Sequence, residues 1–527
     1  MKGPRLQAAL AQAPVLALAI VGVTLFAALV RWLGYTGFFG SDEVTYIEHA
    51  FKVLDGDWSL SEYAGANRIG VNLPMAAFGA LLGRDEFGAA AYSLLCSVAE
   101  VGLVTWVGAR VFGMRAGVAA GLLMAALPGH VHVGGRILAD APLALAVSAS
   151  FILFFEGELR RWSAGYFFAG VMAGLAFLVK PSAVFVFAIL LLYPLVARRW
   201  DSRWLWMGAG FVLAMAVNGL LFQALTGHFW YVFENISTRL HSGYLESGIA
   251  AGKISTAPYF YPAYLLAKIY HTGLVGPLAL AGGLLLIWRR SKREASTSLA
   301  ARYLLFWALG LLIILSFLPV AFNPFALVPK QTNYMLLFAA PLCLLAGVAL
   351  ARLPVGLSNF GVALAVAVGI IFALLLQASV AVFTSNSFAT LAFARERPKA
   401  TVYAMSNAYR AAWFNRLVGA EDLTDRVRPV DKRDQDSKDS ERFAVVDEET
   451  FTWDDSAPFK KPTEVPACWV MVQTLRGEPG GAGVALIRFV APVVQSVPGL
   501  RGSAIDRRLA GLLHPRPAHV YRLAPGC

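Results

Sequence analysis

The sequence predicts an α-helical polytopic membrane protein of about eleven spans that ends in a small α/β domain outside the bilayer. Three features of the 527 residues predict it: 57% are hydrophobic and only 15% charged, apolar runs recur from Pro14 to Phe383, and basic residues punctuate those runs.

A water-soluble domain must cover its surface with polar groups, which this composition cannot supply. A membrane span needs roughly 20 mostly apolar residues. Runs of that kind fall at about 13–33, 86–110, 116–133, 137–155, 164–180, 181–197, 204–225, 263–288, 303–322, 335–351 and 360–383. The first run, Pro14 to Val30, exceeds the roughly 7 to 15 residues of a signal-peptide core, so it reads as a retained span.

The net charge of +12 does not form one patch, as a nucleic-acid surface would require. With Lys2 and Arg5 inside, the inner loops hold Arg110 and Arg115; Arg160 and Arg161; Arg198, Arg199 and Arg203; Arg289, Arg290, Lys292, Arg293 and Arg302; and Arg352. Every inner loop is basic, as cytoplasmic loops are. An odd span count then places the tail outside with the loops 34–85 and 226–262. Residues 1–383 form the membrane domain and 384–527 a soluble one, with charged runs such as Asp431 to Arg442. Strand-like runs at Ala400–Ala404, Phe443–Val446, Trp469–Gln473, Val484–Phe489 and Val520–Leu523, with a helix at Asn407–Leu417, make that tail α/β.

Cys96 and Cys343 fall in spans and read as small buried hydrophobes. Cys468 and Cys527 lie in the tail, where an extracytoplasmic setting permits a disulfide. Glu100 in mid-span has no evident role. His130 and His132 share a short outer turn and lack the further ligand a metal needs.

The spans carry little charge, and most of the notable ionisable residues sit at or near their outer ends, where ionisable groups at membrane depth are functional candidates by default. In the first outer loop, Gly40 to Phe51 reads as an amphipathic helix with Ser41 as N-cap and Asp42 and Glu43 in its first turn. Offsetting the helix dipole explains the two acids equally well. Asp42, Tyr46 and His49 share one face at i, i+4, i+7 spacing. Asn67 to Pro74 then leads into Met75 to Leu82, too short to span and suited to the interface plane. Arg68 there is either a snorkelling anchor or a phosphate contact. Asp140 either caps its span, pairs with Arg136, or serves a site, and Lys180 is either an interfacial anchor or a site cation. The loop 226–262 carries His228, Trp230, Tyr231, His241, Tyr244, Glu246 and Lys253 with glycine joints; a mobile cover and an interfacial aromatic belt both fit it.

The Asp42-Glu43 pair after the first span, the interfacial segments, and Asp85-Glu86-Phe87-Gly88 resemble the membrane glycosyltransferases of the GT-C fold. The likeness continues at Gly135-Arg136-Ile137-Leu138-Ala139-Asp140, Leu178-Val179-Lys180-Pro181 and Pro329-Lys330-Gln331-Thr332-Asn333-Tyr334, in the family's order across about residues 14–383. The nearest forms are the protein O-mannosyltransferases and the lipid A aminoarabinose transferases. The resemblance implies an outward cavity, a polyprenyl-phosphate sugar donor, Asp42 as catalytic base with Glu43 as its acidic neighbour, and donor-phosphate contacts at Lys330, Arg68 and Tyr334. Asp140, Arg136, Lys180, Tyr46 and His49 would support the site. Asn333 stands where one form of the late motif has arginine, which leans the likeness toward the aminoarabinose-transferase form.

That chemistry suits these residue types. A glycosyl phosphate leaves as an anion, so cations must stabilise it, and an acceptor hydroxyl needs a fixed base to take its proton. One displacement without a covalent intermediate inverts the anomeric centre, unlike the two-carboxylate retaining route. The expected partners are the lipid-linked donor, a lipid, glycan or protein acceptor, and membrane lipids, but no nucleic acid. No organic cofactor is implied; a divalent metal is left open, with no clear ligand set for one in the sequence. The expected location is a bacterial inner membrane with site and tail on the periplasmic side. A transporter or flippase of lipid-linked sugars is the alternative, and it would need polar residues lining a path through the bilayer centre.

Overall fold

The computed structural model describes residues 4–61, 63–241, 248–249, 255–288, 295–322, 325–432, 441–453, 459 and 461–524. The chain is built on apolar helices: α1 (Pro4–Leu33), α2 (Glu43–Leu54), α3 (Ile69–Leu82), α4 (Glu86–Phe112), α5 (Met114–Ala125), α6 (Pro128–Gly134), α7 (Asp140–Arg160) and α8 (Ser163–Val179) open it. Asp85 caps α4 by accepting the Gly88 N–H at 2.8 Å, while Gly113, at φ +97°, breaks α4 from α5. Pro128 starts α6 at a 57° bend from α5, and Pro181 ends α8 because it cannot donate to the preceding turn.

Among the described residues, seven helices are long and apolar enough to cross a membrane, or eight if the bent pair α5–α6 is one span. The expected count of eleven is therefore not established; the remaining expected spans fall on shorter apolar helices, Ser163–Val179, Pro181–Ala197 and Val275–Trp288. The helices sort into an inner and an outer set. Residues Thr332–Ala351 and Asp140–Arg160 are buried for most of their length, whereas Ala13–Leu33 and Val355–Arg395 expose most of theirs. An apolar helix surface with no protein against it is stable only in lipid. Small residues allow the closest crossings: a Cβ on Gly170 would strike the Met207 carbonyl, and one on Gly210 the Phe167 carbonyl.

Two buried carboxylates, Glu158 and Glu100, are each held by several donors. Glu158 accepts from Tyr166, Tyr193, Trp204 and Arg199. Glu100, unexplained by sequence, accepts from Ser148 at 2.6 Å and from His130 Nε2 at 2.9 Å, while Arg31 donates to His130 Nδ1 at 2.6 Å. That assigns the imidazole proton to Nε2 and ties α1, α4, α6 and α7 together at depth. Both carboxylate oxygens of Glu100 and both ring nitrogens of His130 have a partner, which is the condition for keeping an ion there.

The helix Val355–Arg395 continues past residue 383 into the tail. Among the described residues, five strands follow in the order β2-β1-β3-β5-β4: β1 (Ala400–Ala404), β2 (Val427–Pro429), β3 (Glu441–Asp447), β4 (Trp469–Leu475) and β5 (Ala518–Leu523). β1 runs parallel to β2 and β3, and β5 antiparallel to β3 and β4. The expected strand at Val484–Phe489 is instead part of the helix Ala482–Ser496, whose buried residues Val484, Ile487 and Ala491 recur at helical spacing. Cys468 is disulfide-bonded, Cys96 and Cys343 are free, and Cys527 lies outside the described residues. The tail rests on the first outer loop: Arg410 donates to the Gly40 carbonyl at 2.6 Å, and Phe38 packs on Phe388 and Phe414.

Candidate functional site

A cavity of about 1030 Å³ opens between the first outer loop, the α6–α7 junction, the end of α8 and residues 329–336, with Trp453 of the tail among its lining. It collects Asp42, Tyr46, Arg68, Arg136, Asp140, Lys180, Lys330 and Tyr334, which lie far apart in sequence. Four cations therefore share one cavity with two carboxylates, an excess of positive charge suited to an anion.

Asp42 is placed by backbone rather than by a capping bond. It is itself the N-cap of α2, in place of the expected Ser41, and its side chain makes no cap hydrogen bond. The carboxylate is left to the cavity, where Tyr63 Oη donates to Oδ1 at 3.3 Å and Tyr46 Oη lies 3.5 Å from Oδ2. The turn before it uses Gly37 and Gly40 at φ +58° and +93°. Both are in the left-handed region that favours glycine, and a Cβ on Gly40 would run into Asn407 of the tail.

Glu43, expected beside Asp42 as a second acid, points elsewhere. Its Oε1 accepts the N–H groups of Phe39 and Gly40 at 2.6 and 2.5 Å, and its Oε2 that of Ser41 at 2.9 Å. It is fully buried and absent from the cavity wall. Its geometry is that of a carboxylate knitting the turn that carries Asp42. Glu43→Gln turns one acceptor oxygen into a donor facing those amides. Exchange protection at Phe39 to Ser41 should drop, and activity should fall roughly 10²-fold through displacement of Asp42.

Arg68 precedes α3, whose Gly70 packs on the backbone of Leu178 and Val179 at the end of α8. That contact brings Arg68 toward Lys180. Arg68 donates to the Tyr46 hydroxyl and lies over its ring, 5.4 Å from the centroid. Burial disfavours its charge, but Tyr46 and Asp42 outweigh that and raise its pKa.

Arg136 enters because the first loop lies alongside it: Gly37 and Arg136 form an isolated parallel bridge, with the Thr36 and Gly37 N–H groups on the Gly135 carbonyl. Its guanidinium stacks on Phe39 at 3.9 Å, and its side chain is 8% exposed. Among the described residues it has no ion pair, and its Nε has no hydrogen-bond partner. Burial lowers its pKa, partly offset by Glu43, Asp140 and Asp42. Such a buried, unmatched cation invites a bound anion.

Asp140 neither caps α7 nor pairs with Arg136 as the sequence allowed. Lys180 Nζ meets its Oδ1 at 3.1 Å, and Asn333 donates to its Oδ2 at 3.2 Å. Lys180 also donates to Gln331 Oε1 at 3.3 Å and sits 4.5 Å from the Tyr334 ring centroid. The Tyr334 hydroxyl donates to Ser182 at 3.0 Å. Two chain segments 151 residues apart, at Lys180 and Gln331, are thus locked by one polar cluster.

Two expectations need correction. His49 is buried on α2 but does not line the cavity, because an interval of seven residues carries it a further turn away. Lys330 lines the cavity but is not exposed: its ammonium donates to the Leu315 and Ser316 carbonyls at 2.7 and 3.0 Å, closing the end of helix Ala295–Phe317. Burial pushes its amine down to about 8. The cavity thus keeps this positive charge below that pH and loses it as pH rises through about 8. Anion uptake should weaken over that range, and Lys330→Met should flatten this limb of the profile.

Sequence reasoning missed Tyr63, Gln331, Asn333 and Trp453 as cavity residues. Only Gln331 and Asn333 carried a signal, through adjacency to Lys330 and Tyr334. His132 and His271 also line the cavity, with rings 6.5 Å apart. Tyr231 of the second large outer loop reaches it, while Tyr244, Glu246 and Lys253 lie outside the described residues. Among the described residues, no group of three His, Cys, Asp or Glu side chains could hold a metal ion.

Residues 69–222 match the family described as dolichyl-phosphate-mannose-protein mannosyltransferase. ArnT from Cupriavidus metallidurans in the apo state is similar in structure at TM-score 0.55 and 18% identity, over 84% of this chain and 94% of that one. ArnT bound to undecaprenyl phosphate is similar at TM-score 0.53 and 18% identity, over 83% and 94%. The archaeal oligosaccharyltransferase AglB from Archaeoglobus fulgidus, in complex with an inhibitory peptide and a dolichol-phosphate, is similar at TM-score 0.51 and 11% identity, over 96% and 88%. No curated protein sequence matches the chain. The chain has the GT-C fold that these membrane glycosyltransferases share. The segment matched to the family contains Arg136, Asp140 and Lys180 and begins after Asp42 and Arg68.

Proposed function

We propose that this chain is an inverting glycosyltransferase that moves a sugar from a polyprenyl-monophosphate lipid to an acceptor hydroxyl. The observation that carries the reading is the meeting, in one cavity, of the Asp42 carboxylate, held only by tyrosine hydroxyls, with the buried Arg136 guanidinium, both outside any ion pair among the described residues. The fold supports it, because structures sharing it hold undecaprenyl phosphate in one case and dolichol-phosphate in another.

In this mechanism Asp42 accepts the acceptor's hydroxyl proton as that oxygen bonds to the anomeric carbon. The bond from that carbon to the phosphate oxygen breaks, and its electron pair leaves with the lipid phosphate. Negative charge grows there, where Arg136 and Arg68 face it without needing to reorganise. Lys180, held by Asp140, Gln331 and Tyr334, adds positive potential and fixes the wall between α8 and residues 331–334. Tyr46 and Tyr63 orient Asp42, and Glu43 is a positioning residue for the turn that carries it. No observation favours a flippase.

We place the cavity and tail on the extracytoplasmic side, because the opposite loops are the basic ones. Impermeant thiol reagents should then reach single cysteines in the tail from outside the cell. The function is tested with purified protein in nanodiscs loaded with a panel of polyprenyl-monophosphate sugars. Release of polyprenyl phosphate on adding envelope acceptors supports it, and failure with every donor, alongside an intact fold, counts against it.

A further inference from the structure

The tail helix Ala482–Ser496 has two apolar faces, and the protein covers only one. Gln377 Oε1 accepts the Gly483 N–H at 2.9 Å, and Gln377 Nε2 donates to the Gly480 carbonyl at 3.3 Å. Val484 and Ile487 cluster with Ala378 and, beside it, Leu375 and Ala381 of the long helix Val355–Arg395. A Cβ on Gly483 would strike the Leu374 carbonyl, so the approach is close. These contacts fall within residues 360–383, the apolar part of that helix, near its outer end. The helix Ala482–Ser496 therefore packs against the end of that apolar run nearer the tail.

Its other face is bare. Phe489 is 77% exposed, Val493 56% and, just past its end, Val497 41%, at i, i+4, i+8 spacing. The following helix, Ala504–Gly511, exposes Ile505 by 54%. Around them stand the exposed Arg488, Arg501, Arg507 and Arg508, none of them in an ion pair among the described residues. Asp506, within the second helix, accepts from Gly502 and Gln495. An apolar strip bordered by arginines, on a helix packed against the end of an apolar span, matches an anionic lipid interface and not water.

We propose that the helix pair Ala482–Ser496 and Ala504–Gly511 lies in the headgroup layer of the leaflet facing the cavity. There it binds anionic phospholipid, with Phe489, Val493 and Ile505 inserted among the acyl chains. The tail is then fixed by lipid at one edge and by Gly40 and Phe38 at the other.

The full-length Phe489→Cys variant, labelled with bimane and placed in nanodiscs, tests this without any sugar donor, so its outcome is separate from the catalytic reading. Cys96 and Cys343 are buried and Cys468 is bonded, and unmodified protein sets the labelling background. Brominated phosphatidylglycerol should remove most of the probe's fluorescence, more strongly with bromine near the headgroup end of the chain than at its tip. Aqueous iodide should have little effect. A probe at Lys461→Cys, on the exposed part of the tail, should behave oppositely. Replacing phosphatidylglycerol by phosphatidylcholine, or making Arg501→Gln, Arg507→Gln and Arg508→Gln together, should weaken the lipid quenching. Val493→Cys serves as a second position if Phe489→Cys does not fold. A Phe489 probe that iodide reaches freely overturns the proposal. So does one shielded from both quenchers, which would mean a protein partner or second copy covers the face.

Discussion

Asp42→Asn is expected to lower sugar transfer by at least ~10²–10⁴-fold, the range associated with general-base catalysis, while the protein stays folded and keeps its donor. The amide retains the shape of the carboxylate and an oxygen for the Tyr63 hydroxyl, which lies 3.3 Å from Oδ1. It cannot take a proton. A capping role predicts the reverse, because asparagine is also a good N-cap. The structure already weighs against capping, since the Asp42 side chain makes no cap hydrogen bond. Donor binding measured apart from turnover separates the two: unchanged affinity with lost transfer assigns the proton step, and near-normal transfer removes Asp42 from it.

Arg136→Gln is expected to lower transfer by ~10²–10³-fold, as loss of one preorganised group facing the developing charge does elsewhere. Its second signature is unusual for an active-site change. Among the described residues the guanidinium is buried without an ion pair, so replacing it relieves desolvation and should leave thermal stability unchanged or raised. A purely structural arginine predicts the opposite pairing, with lost stability and retained turnover. Arg136→Lys keeps the charge but not the planar stack on Phe39, and should recover only part of the activity.

The helical membrane fold was legible because hydrophobic patterning acts through solvation, which sequence reports directly; the count of eleven spans was not, because several apolar runs form helices shorter than a span. Asp42, Arg68, Arg136, Asp140 and Lys180 were legible as ionisable residues near span ends, and they do share a cavity. What they do to one another was not. The partners of Asp140 come from Lys180 and Asn333, 40 and 193 residues away, and no local spacing encodes such pairings. Glu43 illustrates the limit most clearly: its neighbour's side chain faces the cavity, while its own turns back to three amides of the preceding loop. The helical face drawn through Asp42, Tyr46 and His49 failed at its last member, because the cavity ends before the third turn. Lys330 was right in place and wrong in exposure, since nothing in its segment reveals that the carbonyls of Leu315 and Ser316 lie within reach. The mistaken strand at Val484–Phe489 shows that short apolar runs do not distinguish a strand from a helix with two apolar faces.

Mass spectrometry of envelope lipids and glycans tests the central claim most directly, in cells carrying the native gene, no gene, or the Asp42→Asn variant. The account predicts that the last two accumulate the same polyprenyl-monophosphate sugar and lose the same sugar from an envelope acceptor, and that the native gene reverses both changes. Identical lipids and glycans in all three strains, or an Asp42→Asn strain matching the native one while the deletion differs, would contradict it.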